Sequence, residues 1–363
     1  MNKETSTLKR MVGHQLFMPI ISLIIVMLIT VVYKSLFGKD GVHLDLTFFQ
    51  IQITNGHLYG YLIDILNHAG GLVILAIGMT LTVASSAGTD ISVGAVSALC
   101  AAVCVRVLGR ENVVADYSTG VYILAFIAAM LVGALCGVFN GYLVAYLDIQ
   151  PMVATLILFT AGRGMAQLLV NGYIIYVRKE SYKWLGSFFP HIPLPSALIV
   201  AMVVAVVMYL VLNKTALGLY IQAVGINKKA SHVVGLNSKM IILLTYVFCG
   251  WCASINGLIK SSEIASVDAN NIGLMMELDA ILSVAIGGNS LGGGKFNLFG
   301  SIIGAVTIQA LSTVLLSMSV ESTQVPVFKA LLVAAIVVFQ SPEIQRWRRN
   351  RKARAAAAGK KVA

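Results

Sequence analysis

The chain has 363 residues, of which 58% are hydrophobic and only 11% charged, and its mean hydropathy is +0.86. Soluble domains carry about 25% charged residues, so a soluble enzyme or a nucleic-acid-binding domain is excluded as the body of this protein. The formal charge of +11 then asks for an explanation other than nucleic acid, and its distribution supplies one.

Crossing a hydrocarbon core of about 30 Å takes roughly 20 apolar residues of helix. Runs of that kind lie at residues 15–33, 62–85, 91–108, 121–146, 151–170, 196–213, 240–259, 274–287, 298–318 and 323–340. The prediction is an all-α, polytopic membrane helix bundle of about ten transmembrane helices. The first run follows Lys9 and Arg10 as a signal peptide would, but it is too long and no A-x-A-like site follows, so it is expected to stay as an anchor. One membrane domain spans 15–340, between a cytoplasmic N-terminus at 1–14 and a basic cytoplasmic tail at 341–363.

Orientation follows from the basic residues, which are retained in short cytoplasmic segments. With both termini inside, Lys3, Lys9, Arg10, Lys214, Lys228, Lys229, Lys239, Lys295 and the eight basic residues of the tail "RWRRNRKARAAAAGKK" are cytoplasmic, 16 of the 26 in the chain. The reversed orientation puts that tail outside and is rejected. Beside a membrane such a tail meets anionic lipid, and no nucleic-acid partner is inferred.

Along the chain, ionisable groups inside apolar runs are functional candidates by default, because an unpaired charge at membrane depth is costly. Asp64 and His68 stand at i, i+4 in the second run and can pair near its outer edge. In "AGTDISVGAVSAL", Asp90 directly precedes the third run, where a carboxylate can cap exposed amides and meet the helix dipole. Gly94 lets a neighbouring helix approach closely. Arg163, between Gly162 and Gly164, is expected to be structural, neutralised by a carboxylate or by helix carbonyls.

The inner loop 214–239, "KTALGLYIQAVGINKKASHVVGLNSK", carries a capped helix of about two turns. Asn227 can accept from amides at its start, and Gly235 can supply the left-handed residue that ends it. Ala230, Val233 and Val234 share a face at i, i+3 and i+4, with Lys228, Lys229 and His232 largely elsewhere. On spacing alone, this stripe fits the membrane surface or the chain's own bundle. "CGWC" at 249–252 has redox-like spacing but lies inside an apolar run, so small-residue helix packing is expected, with no disulfide framework and no metal site.

"DANNIGLMMELD", 268–279, is dense in hydrogen-bonding side chains. Asn270, Asn271 and Glu277 can line a polar passage for a hydroxylated solute or equally belong to a solvated outer loop, the reading favoured for Asp268 and Asn270. Glu277 and Asp279 are two residues apart, point in different directions and form no shared acid pair. "GGNSLGGGKF", 287–296, imitates a phosphate-binding loop but has Asn289 where the first glycine of G-x-x-x-x-G-K-[ST] belongs and Phe296 at the hydroxyl position. The chain therefore binds no nucleotide there. A faint echo links 81–96 with 282–306, each running from one apolar stretch through a glycine-containing loop into another.

Together "GTDISVG", "QPMVATLILFTAGRGMAQ", "KTALGLYIQAVGIN" and "DANNIGLMMELDAILSVAIGGNSLGGG" resemble the permease subunits of bacterial ABC importers for monosaccharides, the ribose, xylose, galactose and galactofuranose group. The resemblance covers roughly residues 55–340 and looks closest to the branch handling galactofuranose and fructose-like sugars. It implies a multi-pass protein of the bacterial inner membrane that transports a sugar and catalyses no covalent step. The implied partners are a cytosolic ABC ATPase that binds ATP and magnesium, a second permease subunit, an extracytoplasmic sugar-binding protein and membrane lipid. This chain itself is expected to bind no cofactor.

Residue by residue, the resemblance makes Gln222, Ala223, Gly225, Asn227, Ala230, Val233, Val234 and Gly235 the ATPase-coupling loop. Related loops often begin Glu-Ala, so Gln222 removes any salt bridge from that position without removing the docking. The family's "GGIDLSVG" is matched by "SAGTDISVG", with Ala87 in place of a glycine and Asp90 in register. Asp90, Gly94, Arg163, Asn271, Glu277 and Asp279 then stand on the translocation path or at helix interfaces. The rival reading is an ion-coupled secondary transporter, with Asp64, His68 or Glu277 carrying protons.

Overall fold

The computed structural model describes residues 16–37, 49–54, 56–318 and 320–340. The expected N-terminal segment 1–14 and basic tail 341–363 lie outside the described residues. In chain order the helices are α1 (Phe17–Phe37), α2 (Tyr61–Ser86), α3 (Val93–Leu108), α4 (Thr119–Ala145), α5 (Pro151–Leu169), α6 (Glu180–Lys183) and α7 (Ser196–Lys214). They continue as α8 (Leu217–Ile226), α9 (Lys228–Val233), α10 (Ser238–Glu263), α11 (Met276–Ile286), α12 (Leu298–Ser317) and α13 (Val325–Gln340). Each of the ten apolar runs falls on one helix. Among the described residues, α2, α4, α5, α7, α10 and α12 are long and apolar enough to cross a membrane.

Local chemistry sets the helix starts. Ser118, Asn237 and Asn297 precede α4, α10 and α12, and each side chain accepts from an amide three residues on. Pro151 occupies the first turn of α5, where its missing N–H costs nothing. α2 ends on Ala87, whose φ of 55° is left-handed.

α2 is buried without interruption from Ala69 to Ser85, as an apolar-all-round helix must be. It packs against α10, α12, α7 and α11, and α10 also packs along α4. Gly133 and Gly250 bring those last two backbones together: a Cβ on either would lie 2.5 or 2.1 Å from the other's carbonyl oxygen. Cys249 and Cys252 are buried in α10 against Gly78 of α2, so the C-x-x-C spacing serves helix packing as expected. The opposite face of α4 exposes Ile123, Ile127, Leu131 and Leu135, an apolar stripe suited to lipid or protein rather than water.

Short strands in the loops at one end were not expected from sequence. β1 (Gln52–Thr54) and β2 (His57–Tyr59) form an antiparallel hairpin, while β4 (Ile175–Val177) lies between β3 (Val113–Val114), its parallel neighbour, and β5 (Ser266–Val267), antiparallel to it. Strands of two or three residues are too short to show a period of two. The hairpin is tied to the 184–195 loop where Leu58 N–H donates to the Pro193 carbonyl at 3.0 Å. At the other end, Gly294 N–H donates to the Ala84 carbonyl at 2.9 Å. Loops expected outside thus meet one another, and so do loops expected inside.

Candidate functional site

At the end expected inside, α8 and α9 connect α7 to α10. The 214–239 stretch, read from sequence as a loop with one short helix, contains both. Asn227 caps α9 as expected, its Oδ1 accepting from Ala230 N–H at 2.9 Å. Gly235 has φ +87°, and the amides of Gly235 and Leu236 return to the carbonyls of His232 and Ser231, each at 3.0 Å. Ala230 is exposed, with Val233 at 84% and Val234 at 76% exposure, while Ser231 faces inward. The apolar stripe is therefore uncovered by the chain's own bundle.

The pair is nevertheless tied rigidly behind that face. A Cβ on Gly225 would lie 1.7 Å from the Ala84 carbonyl oxygen and 2.6 Å from the Gly294 amide nitrogen. α8 thus presses on the end of α2 and on the 287–297 turn at once. Lys228 Nζ pairs with Asp148 in the loop between α4 and α5. That hydrogen bond and the lysine's charge hold the exposed Asp148 carboxyl below the usual carboxylate range. Gln222 and Ala223 are half-buried, Gln222 lining a cleft of about 350 Å³ beside Tyr209, Asn213 and Asn297.

"GGNSLGGGKF" is a folded turn. Asn289 Oδ1 accepts from Asn297 N–H at 2.5 Å, and its Nδ2 donates to Ser301 Oγ at 2.8 Å.

Asp90 does not cap α3 in the expected way. Ser92 occupies that position, and Asp90 Oδ1 accepts from the Ser92 amide at 2.9 Å and its hydroxyl at 2.7 Å. Asn140 of α4 donates to Ser92 Oγ at 2.8 Å and lies 3.4 Å from Asp90 Oδ2. The buried side chain ties the turn to α4.

Four other expected residues meet at the outer half of the bundle. Arg163 of α5 donates through Nη1 to the carbonyls of Ala269 at 2.9 Å, Asn270 at 2.7 Å and Ile272 at 3.3 Å. The hydrogen-bond partners are loop carbonyls rather than helix carbonyls, and the carboxylates of Glu277 and Asp268 add charge attraction. The segment it holds breaks the helical path before α11, with Gly273 at φ +70° and Met275 at +63°. Gly273 sits against Gly94: a Cβ on Gly94 would lie 2.3 Å from the Gly273 carbonyl oxygen and 2.2 Å from Glu277 Oε2. Glu277 is 4% exposed, and its Oε2 has no hydrogen-bond partner among the described residues. Asn271 is exposed and donates to Asp268 Oδ2 at 2.6 Å.

Glu277 and Asp279 diverge as their spacing requires, Asp279 turning to α13, where Lys329 Nζ binds it at 2.9 and 3.1 Å. The Asp64–His68 pair that the spacing allows is not formed. Asp64 is exposed, and His68 Nδ1 pairs with Glu263 Oε1, whose other oxygen holds Lys260 at 2.9 Å. A neighbour one helical turn away loses here to a fully formed charge pair on the adjacent helix. Lys260, Glu263, Asn140 and Lys329 were missed from sequence. The first two sit at a helix end and resemble a solvated terminus, but Lys329, alone in the apolar 323–340 run, was a visible signal.

A family model described as branched-chain amino acid transport system / permease component matches residues 61–339. The galactofuranose transporter permease protein of Escherichia coli is 44% identical over 81% of this chain and 83% of its own. The fructose import permease protein of Bifidobacterium longum is 34% identical over 95% of this chain and 92% of its own. The ribose import permease protein of Escherichia coli is 32% identical over 76% and 84% respectively. No solved structure matches the chain.

Proposed function

The chain belongs to this family of transport-system permease components, and from that premise we propose that it is the membrane-spanning subunit of an ATP-binding-cassette importer that carries a monosaccharide into the cytoplasm. It is a multi-pass protein of the bacterial cytoplasmic membrane and a transport subunit rather than an enzyme. The substrate is a fructose-, galactofuranose- or ribose-like sugar. The carrying observation is the likeness, over most of the chain, to import permeases for those three sugars. No comparable likeness supports the proton-coupled alternative, and His68, one of its carriers, is engaged with Glu263.

We assign the energy input to a separate cytosolic ATPase, which holds the ATP and magnesium, docking on Ala230, Val233 and Val234. An uncovered apolar stripe on a capped helix fits a groove in a partner. Behind it, Gly225 carries displacement to α2 and the glycine turn, and Lys228 carries it to the loop that starts α5. α5 in turn bears Arg163, which holds the outer segment before α11. One path therefore joins the docking face to the outer end, the geometry alternating access needs. A second permease copy or homologue and an extracytoplasmic binding protein complete the assembly. Residues 15–340 act as one membrane domain.

Purification from native membranes in mild detergent tests this. A P-loop ATPase and a second permease are expected to accompany the chain, with ATP hydrolysis stimulated by a monosaccharide and its binding protein. Recovery of the chain alone, with transport that persists without ATP, would overturn the proposal.

A further inference from the structure

At the end expected outside, the tip of α10 and the broken segment before α11 line an open hollow of about 270 Å³. Its size is just below the range of about 300–1,000 Å³ typical of small-molecule sites, which suits one sugar ring. Lys260 and Glu263 supply one wall and Asn271 the other, with Ile264, Leu274 and Met276 as apolar surface between them.

The charges identify the ligand class. Lys260 and Glu263 neutralise each other at 2.9 Å, and Glu263 is shared with His68. No charge is left over to bind an ion such as a sugar phosphate. What remains is spare hydrogen-bonding capacity: ammonium protons, carboxylate lone pairs and an amide. Such groups take vicinal hydroxyls, while the apolar residues take the C–H face of a ring.

The wall is also held in place. Arg163 binds the carbonyls of Ala269, Asn270 and Ile272 on either side of Asn271, and Asp268 accepts from the Asn271 amide. A polar group fixed before its ligand arrives loses little entropy on binding.

We propose that Lys260, Glu263 and Asn271 form an outer binding site for a single neutral monosaccharide, occupied as the sugar enters the membrane part of the protein. This rests on the transport function assigned above and adds the place of recognition within this chain.

The test uses the assembled transporter, with its ATPase and binding protein, in proteoliposomes. All five native cysteines are buried, so Asn271→Cys gives a selective target for a membrane-impermeant maleimide. D-fructose, D-ribose and D-galactose are the probes, with L-leucine as the zwitterionic control. Whichever sugar the wild type carries is expected to slow labelling, whereas leucine leaves it unchanged. Lys260→Met and Asn271→Ala are expected to raise the KM for that sugar about tenfold, the equivalent of one strong hydrogen bond. Asn271 is exposed, so its replacement spares the fold even if Lys260→Met does not. A wild type that carries sugar, with labelling and KM unaffected, would overturn the site and leave the transport function standing. Protection by leucine would overturn the ligand class. A wild type that carries none of the three sugars would overturn the function and this site with it.

Discussion

Replacing Gly94 by alanine probes the close packing of α3 against the segment before α11. The added Cβ would lie 2.3 Å from the Gly273 carbonyl oxygen and 2.2 Å from Glu277 Oε2, where ordinary contact begins at 3.4 Å. About 1 Å of separation is needed, and the Gly273 carbonyl is backbone that cannot rotate away. Overpacking of this kind costs about 1–3 kcal/mol, which lowers the folded-to-unfolded ratio about five- to 150-fold. Gly164→Ala on α5 is the control, because nothing lies within 4 Å of its added Cβ. Thermal unfolding in detergent, followed by tryptophan fluorescence, should place Gly94→Ala several degrees below the control. Adding Glu277→Ala should recover only part of the loss, since the carbonyl contact remains. A Gly94→Ala protein that melts with the control would refute the close approach of α3 to the segment before α11.

Ala87 stands in the left-handed region at φ 55° where the resembling family has glycine, so Ala87→Gly should stabilise by about 1 kcal/mol, and a lowered melting temperature would count against it. Lys329→Met leaves Asp279 uncompensated at 20% side-chain exposure and should destabilise by about 3 kcal/mol. Adding Asp279→Leu should restore most of that, and a double variant no better than the single one would deny the pairing. Asp148 is held low by Lys228, so its tether contributes above the unfolded carboxylate value of about 3.9 and is lost as pH falls through the depressed folded value. In Lys228→Gln the Asp148 carboxyl, followed by carbon NMR, should titrate closer to that ordinary value. An unmoved titration would exclude the tether.

Much of the helical frame was legible because membrane spans announce themselves by length and apolarity. The ten runs and the helices from α1 to α13 agree within a few residues at most ends. α8 was missed because its ten residues continue directly into the capped α9, and only the cap at Asn227 left a local signature. Capping and left-handed termini are decided by adjacent residues, so Asn227 and Gly235 were readable. Charge partners are decided by which helices lie together, which no local pattern encodes. His68 therefore took Glu263 from α10, 195 positions away, rather than Asp64, and Asp90 bound Ser92 and Asn140 rather than capping α3. Glu277 and Asp279 lay between these cases: their divergence followed from spacing, but their neighbours, Gly94 and Lys329, came only from the fold.

The central claim is that a separate ATPase drives this permease through the exposed stripe on α9. The direct measurement is ATP-dependent sugar uptake by proteoliposomes holding the assembled transporter, with the proton gradient collapsed, for the wild type and for Ala230→Glu. The account predicts uptake by the wild type without a proton gradient, and its loss in the inserted, folded Ala230→Glu variant, whose added charge enters the docking groove. Uptake that stops when the gradient collapses, or that survives unchanged in Ala230→Glu, would contradict it.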